Sequence, residues 1–128
     1  MIPEQLKKSG YRFIKLNKKV PVEKKWEIDN NYEFDSPQIL SWIEEGKNYG
    51  VVGGFNNLLI LDFDNQEFQD RFVPLLPETF TVRSGSGKLH LYYHCSEPKS
   101  FKVLDSEGNT LMDVQGEKRQ VVGVGGIH

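Results

Sequence analysis

The sequence predicts an α+β fold built mainly from antiparallel sheet, and three observations carry the prediction. Apolar runs of strand length, rich in Val, Ile, Leu, Tyr and Phe, outnumber helical stripes. Turn-forming clusters separate them at 53–57, 84–88, 105–109 and 116–118. Helical signals are confined to a few short stretches. The 128 residues, 38% hydrophobic and 27% charged, suit one domain spanning 1–128, with neither internal repeat nor linker.

In chain order, Pro3 to Gly10 reads as one or two helical turns ended by Gly10. Tyr11 to Leu16 reads as a strand, followed by a Lys/Pro loop that closes at Trp26. A helix start is signalled at Ser36-Pro37, where the hydroxyl can cap and proline suits the first turn. Ile39, Trp42 and Ile43 supply its apolar stripe, with Leu40 beside it, and it stops near Gly46. Asn48 to Val52 is a short strand, Gly53 to Asn57 a turn, and Leu58 to Asp64 a second strand running back. Gln66 to Phe72 is a short helix broken by Pro74 and Pro77. Phe80 to Arg83 and Leu89 to His94 form a hairpin about the loop 84–88. After a looser turn at 105–109, Thr110 to Gln115 and Arg119 to Val124 form another about Gly116-Glu117-Lys118.

Composition excludes several classes. The single Cys95 permits no intramolecular disulfide and no Cys/His set has zinc spacing, so a cytoplasmic location is the default expectation. No apolar run approaches the ~18 residues that span a bilayer, and Met1 to Lys8 is too polar for a signal peptide, so no membrane is expected as partner. The net charge of −2 conceals an asymmetry. Residues 1–25 hold eight basic and two acidic side chains, a net of +6, which leaves −8 on the remainder. A solvated face and a phosphate-facing surface are both consistent with that segment.

Three motifs could carry chemistry. Leu58-Leu59-Ile60-Leu61-Asp62-Phe63-Asp64 ends an aliphatic strand with two carboxylates. Alternation puts Asp62 and Asp64 on one face, ~7 Å or less apart. Like charges so placed repel unless a cation sits between them, and oxygen-only ligands favour Mg²⁺ or Mn²⁺. The plainer reading is a strand end that caps the next helix. Arg83-Ser84-Gly85-Ser86-Gly87-Lys88-Leu89-His90 is a glycine-rich hairpin whose N–H groups, hydroxyls and cations could cradle a triphosphate, or simply form a hairpin tip. It is no P-loop, since Val82 and Leu89 stand where glycine and Ser/Thr are needed. His90, Tyr92 and His94 face one side of the following strand. In Leu111-Met112-Asp113-Val114-Gln115 a single acid interrupts an apolar strand; alone it reads as a surface residue.

In this order, the three resemble the archaeo-eukaryotic primase superfamily, and within it the bifunctional primase/polymerase domain of plasmids, viruses and archaeal mobile elements. Leu59 to Asp64 is similar to the family's hydrophobic Asp-x-Asp motif, and Arg83 to Tyr92 resembles its glycine-rich segment with His90 in the motif position. Met112-Asp113 is similar to its hydrophobic-Asp motif, and Gln120 to Gly123 to its next strand. Lys18-Lys19-Val20-Pro21, Trp26 and Lys47 to Gly54 resemble its N-terminal pattern. The sequence departs from the pattern at Lys88, where a small residue is usual, and at Gly125-Gly126-Ile127-His128, where the family continues. The resemblance therefore implies a domain shortened at its C-terminus.

The resemblance implies a catalytic sheet like that of an RNA-recognition motif, beside an N-terminal α/β element, with the active site on the open sheet face. It implies template-directed nucleotidyl transfer, as primer synthesis or DNA polymerisation in replication. Asp62, Asp64 and Asp113 would hold two Mg²⁺ or Mn²⁺ ions. His90, Lys88, Arg83, Ser84 and Ser86 would bind the nucleotide, and Lys7 or Lys19 would meet template phosphates. The implied partners are a DNA template and primer, nucleoside triphosphates, and a fused or separate helicase. The alternative is a catalytically incomplete nucleotide- or nucleic-acid-binding module. A rolling-circle nuclease ranks below both, because His90 and His94 are spaced wrongly and Tyr92 and Tyr93 share their strand.

Overall fold

Alternation along Leu58–Phe63 sets the plan of the molecule. Leu58 and Ile60 enter one apolar core, whereas Leu61 and Phe63 enter another on the opposite face. A strand that is apolar on both faces must be covered on both. The computed structural model, which describes residues 1–125, shows how. Its elements are β1 (Arg12–Asn17), β2 (Val20–Pro21), α1 (Pro37–Glu44), β3 (Asn48–Val52), β4 (Leu58–Phe63), α2 (Gln66–Phe72), β5 (Thr81–Arg83), β6 (Leu89–His94), β7 (Phe101–Leu104), β8 (Thr110–Gln115) and β9 (Gln120–Val122). They make two antiparallel sheets, ordered β2-β1-β3-β9 and β5-β6-β4-β8-β7, so the α+β class is observed.

The first core lies between the sheets. Phe13, Tyr49, Val51 and Val121 of the first sheet meet Leu58, Ile60 and Tyr92 of the second, and Ile39 of α1 closes one side. Each side chain of this size contributes ~1.5–3 kcal/mol on full burial. The second core lies between the five-stranded sheet and α2, where Phe68 and Phe72 stack at 5.1 Å and pack on Phe63. Asn65 starts α2 by accepting the Phe68 N–H at 2.9 Å. Gln69, only 3% exposed, accepts the Leu89 N–H at 2.8 Å and so ties α2 to the start of β6.

Several expectations need correction. The N-terminal turn is a short 3₁₀ segment, Glu4–Leu6. Ser36 precedes α1, but its hydroxyl engages the Gln38 side chain and caps no helix N–H. The short strand β2 lies within the expected Lys/Pro loop, and β7 was not anticipated. Neither β3 with β4 nor β8 with β9 forms a hairpin: in each pair one strand joins each sheet. The cause is backbone packing between the two crossovers. Gly53 donates its N–H to the Arg119 carbonyl, and a side chain at Gly53 would run into the carbonyl oxygens of Gln115 and Gly116. These glycines permit close approach of two crossing chains, a use that a turn-forming composition does not distinguish from a hairpin. The segment Gly126 to His128 lies outside the described residues, and with it the expected C-terminal departure. No helix of the described residues is long and apolar enough to cross a membrane.

Candidate functional site

Strand register aligns one row of residues across the whole five-stranded sheet. Val82 pairs with His90, His90 with Asp62, Asp62 with Asp113, and Asp113 with Lys102. Directly paired residues share a face with Cβ atoms ~4.5–5.5 Å apart, and like charges so placed are destabilising. The row answers this with a base or cation at each end. His90 Nε2 lies 3.2 Å from Asp62 Oδ1, and Lys102 Nζ donates to Asp113 Oδ1 at 2.7 Å. The order is thus imidazole, carboxylate, carboxylate, ammonium. His90 is 7% exposed and its Nδ1 is buried without a hydrogen-bond partner.

Asp64 stands just beyond β4, where its N–H bonds the Leu111 carbonyl at 3.0 Å. Its carboxyl is held above the usual range by partial burial first, then by the charges of Asp62 and Asp113, against the opposing pull of Lys102 and Lys88. The three acids therefore share one electrostatic environment. Lys102 is raised by its bond to Asp113 and by that residue's charge.

The row opens into a cleft of about 360 Å³. Asp62, Asp64, His90, Ser84, Ser86 and Lys88 line it from the five-stranded sheet. Lys19, Gln120, Val121 and Val122 line it from the other sheet. Asp62 and Asp64 accordingly sit in a cleft between two sheets, a correction to the expected open face, because the crossover at Gly116 carries β9 over to the first sheet. At the hairpin, Ser84 and Lys88 close the turn by a 2.8 Å backbone bond, Gly87 takes φ +86°, and the two serine hydroxyls lie 2.9 Å apart.

Two expected residues stand elsewhere. Arg83 pairs with Leu89, on the face opposite His90, and its Nη1 donates to the Gly87 carbonyl at 2.7 Å, so it braces the loop outside the cleft. Asp113 opens into a neighbouring depression of about 330 Å³, lined also by Phe101, Lys102, Val114, Gln115 and Arg119. Of the two lysines considered for template contact, Lys19 lines the cleft, whereas Lys7 pairs with Glu4 at 3.1 Å. Lys102, Arg119 and Gln120 were missed as candidates for the site. Lys102 had no readable signal, because β7 is four residues long and finds its register only by pairing with β8.

The donor set fits a hard divalent cation in its chemistry: three carboxylates, oxygen only, with mutual repulsion that a cation relieves. It is not closed into a cage. Among the described residues no group of three or more His, Cys, Asp or Glu is gathered tightly enough to hold a metal, since Asp113 is turned to Lys102 and Asp62 to His90.

A family model described as bifunctional DNA primase/polymerase, N-terminal, matches residues 4–128. No curated protein matches the chain significantly.

Proposed function

The chain belongs to the family of bifunctional DNA primase/polymerase N-terminal domains, and from that premise we propose that residues 1–128 act as one catalytic domain for template-directed nucleotidyl transfer. The observation that carries this reading is the row His90–Asp62–Asp113–Lys102 running from the cleft with the Ser84–Lys88 hairpin to the depression beside it.

In this reading Asp62, Asp64 and Asp113 would hold Mg²⁺ or Mn²⁺. When bound, such ions activate the attacking 3′-hydroxyl and neutralise charge on the departing pyrophosphate. The chain's own groups bind and orient. Lys88 and the Ser84 and Ser86 hydroxyls neutralise and hydrogen-bond the triphosphate of the incoming nucleotide, and Lys19 adds a cation from the opposite wall. His90, buried between sheet and cleft, fixes the Asp62 carboxylate and contacts the same nucleotide. Arg83 keeps the hairpin in shape through Gly87. Transfer joins the primer 3′-oxygen to the α-phosphorus and breaks the bond to the β-phosphate, so the groups above act where charge accumulates.

The test is incorporation of labelled ribo- and deoxyribonucleotides on primed and unprimed templates with Mg²⁺ or Mn²⁺. Asp62→Ala with Asp64→Ala abolishes incorporation while circular dichroism and the melting transition show a folded protein. Undiminished incorporation overturns the proposal. The turn of Asp113 towards Lys102 favours a second reading, a nucleotide- or nucleic-acid-binding module without catalysis. Calorimetric binding of a nucleoside triphosphate with Mn²⁺, without any extended product, would select it.

A further inference from the structure

The two ends of the acidic row are held with unequal firmness. At one end His90 is buried in the sheet and keeps its Nε2 3.2 Å from Asp62. At the other, Lys102 stands on the edge strand β7 and donates to Asp113 at 2.7 Å, its side chain 58% exposed and that of Asp113 only 17%. The carboxylate is therefore enclosed, and the ammonium that answers it is not. A lysine on an edge strand can swing into water on a flexible four-carbon stem, and an ion pair with an exposed partner is worth little. Arg119 lines the same depression, and its charge repels Lys102, which makes release easier still. The buried imidazole has no such exit.

An ammonium is also an incomplete answer to this cluster. Asp62 and Asp113 are directly paired, and Asp64 feels the charge of both. Lys102 bonds one oxygen of Asp113 and makes no second ion pair among the described residues. One charge at one end leaves the repulsion between Asp62 and Asp64 in place, whereas a divalent ion shared by carboxylates relieves it.

We propose that Lys102 is a displaceable stand-in for a divalent cation: it neutralises Asp113 in the metal-free protein and gives that carboxylate up when Mg²⁺ or Mn²⁺ binds. The proposal rests on the reading in which Asp62, Asp64 and Asp113 hold such ions, and it deepens that reading by naming the residue that sets their affinity. Lys102 is a positioning residue, because it acts only through Asp113. While it is paired, Asp113 is turned from the other two acids and the row is stable without metal. Once it is released, Asp113 is free to join them. The same contact that stabilises the empty cluster therefore weakens metal binding, and removing it moves the two properties in opposite directions.

The test titrates Mn²⁺ into the protein without nucleotide, following free Mn²⁺ by electron paramagnetic resonance, and records melting temperatures in chelator and in saturating Mn²⁺. Lys102→Gln is expected to bind Mn²⁺ about fivefold more tightly, the gain from removing one competing ion pair. It also melts below the unsubstituted protein in chelator and gains more from Mn²⁺. Lys102→Arg keeps the competing charge and restores an affinity within about twofold of the original. Lys24→Gln removes the same charge from an exposed position outside the site and leaves the affinity unchanged. In an Asp113→Asn background Lys102→Gln has no further effect, because the contact through which it acts is gone. Mn²⁺ affinity unchanged or lowered in Lys102→Gln overturns the proposal. An equal gain in Lys24→Gln, or the full gain retained beside Asp113→Asn, overturns it too. Failure of the catalytic reading looks different: Mn²⁺ binding would respond to Lys102 as expected, and the unsubstituted protein would incorporate no nucleotide.

Discussion

Asp64→Asn is expected to stabilise the metal-free protein while impairing it as a catalyst. Asp64 shares its environment with Asp62 and Asp113, and its carboxyl is raised by partial burial and by both neighbouring charges. Two like charges ~7 Å apart interact by roughly 1 kcal/mol at an effective dielectric of about 40, intermediate between protein surface and water. Lys102 and Lys88 oppose part of that, and Asp64 is exposed enough for solvent to screen more, so a net of about 0.5–1 kcal/mol remains. That corresponds to a rise of about 2–4 °C in melting temperature for a domain of this size. The sign of the pH dependence follows from a folded-state carboxyl raised above its ordinary 3.8. Such a group favours folding when protonated, and that advantage is lost as pH rises through its raised value. The variant's gain is therefore present at neutral pH and vanishes below about pH 3.8. Calorimetric melts at pH 7 and pH 3, in chelator and low salt, measure it, and 1 M salt should shrink the pH 7 difference. Adding Mg²⁺ should raise the melting temperature of the unsubstituted protein more than that of the variant. A variant less stable than its parent at pH 7 in chelator, or an equal response to Mg²⁺, refutes the reasoning.

Gly53→Ala is expected to lose about 1–3 kcal/mol in denaturant unfolding, because its methyl group meets two carbonyl oxygens at the paired crossovers, where neither backbone can give. Gln69→Ala leaves the Leu89 N–H without its acceptor at the start of β6 and should cost about 1–3 kcal/mol. It should also raise the KM for nucleotide with little change in kcat, because the hairpin carrying Lys88 is anchored there; a stability loss with unchanged KM would separate the anchor from the site.

What could be read in advance divides along local and non-local lines. Asp62, His90 and Asp113 were readable because each interrupts an apolar strand, and a period of two assigns such residues a face without knowledge of the partner strand. The helix at 66–72 was readable for a similar reason, since Asn65 and the Phe68/Phe72 pair are neighbours in sequence. Lys102 was not. A lysine in a four-residue strand is ordinary composition, and only the pairing of β7 with β8 sets it against Asp113. Arg83 failed in the other direction: its place in a phosphate-binding pattern is suggestive, yet strand parity turns it away from His90.

The two hairpins that do not form explain why the site is a cleft. A glycine-rich segment between two strand signals is read as a return, and at 84–88 that reading holds because Leu89–His94 can satisfy β5 at once. At Gly53 and Gly116 the same residue type serves two chains that cross each other, so β3 and β9 pair together in the first sheet while β4 and β8 pair together in the second. One backbone contact thereby decides both pairings. It brings Gln120 to the lip above Asp62, and Gln120 in turn donates to the Lys19 carbonyl at 3.1 Å. The excess of positive charge in residues 1–25 then divides by position. Lys7 answers Glu4, Lys15 lies near Glu23 and over the rings of Tyr32 and Trp42, and Lys19 alone of these three lines the cleft. Of the eight basic side chains in that segment, two are thus answered by nearby acids and one is delivered opposite Asp62 and Asp64, while Lys8, Lys18, Lys24 and Lys25 are exposed. Substituting Lys19 should consequently weaken nucleotide binding in the cleft, whereas substituting Lys7 should not.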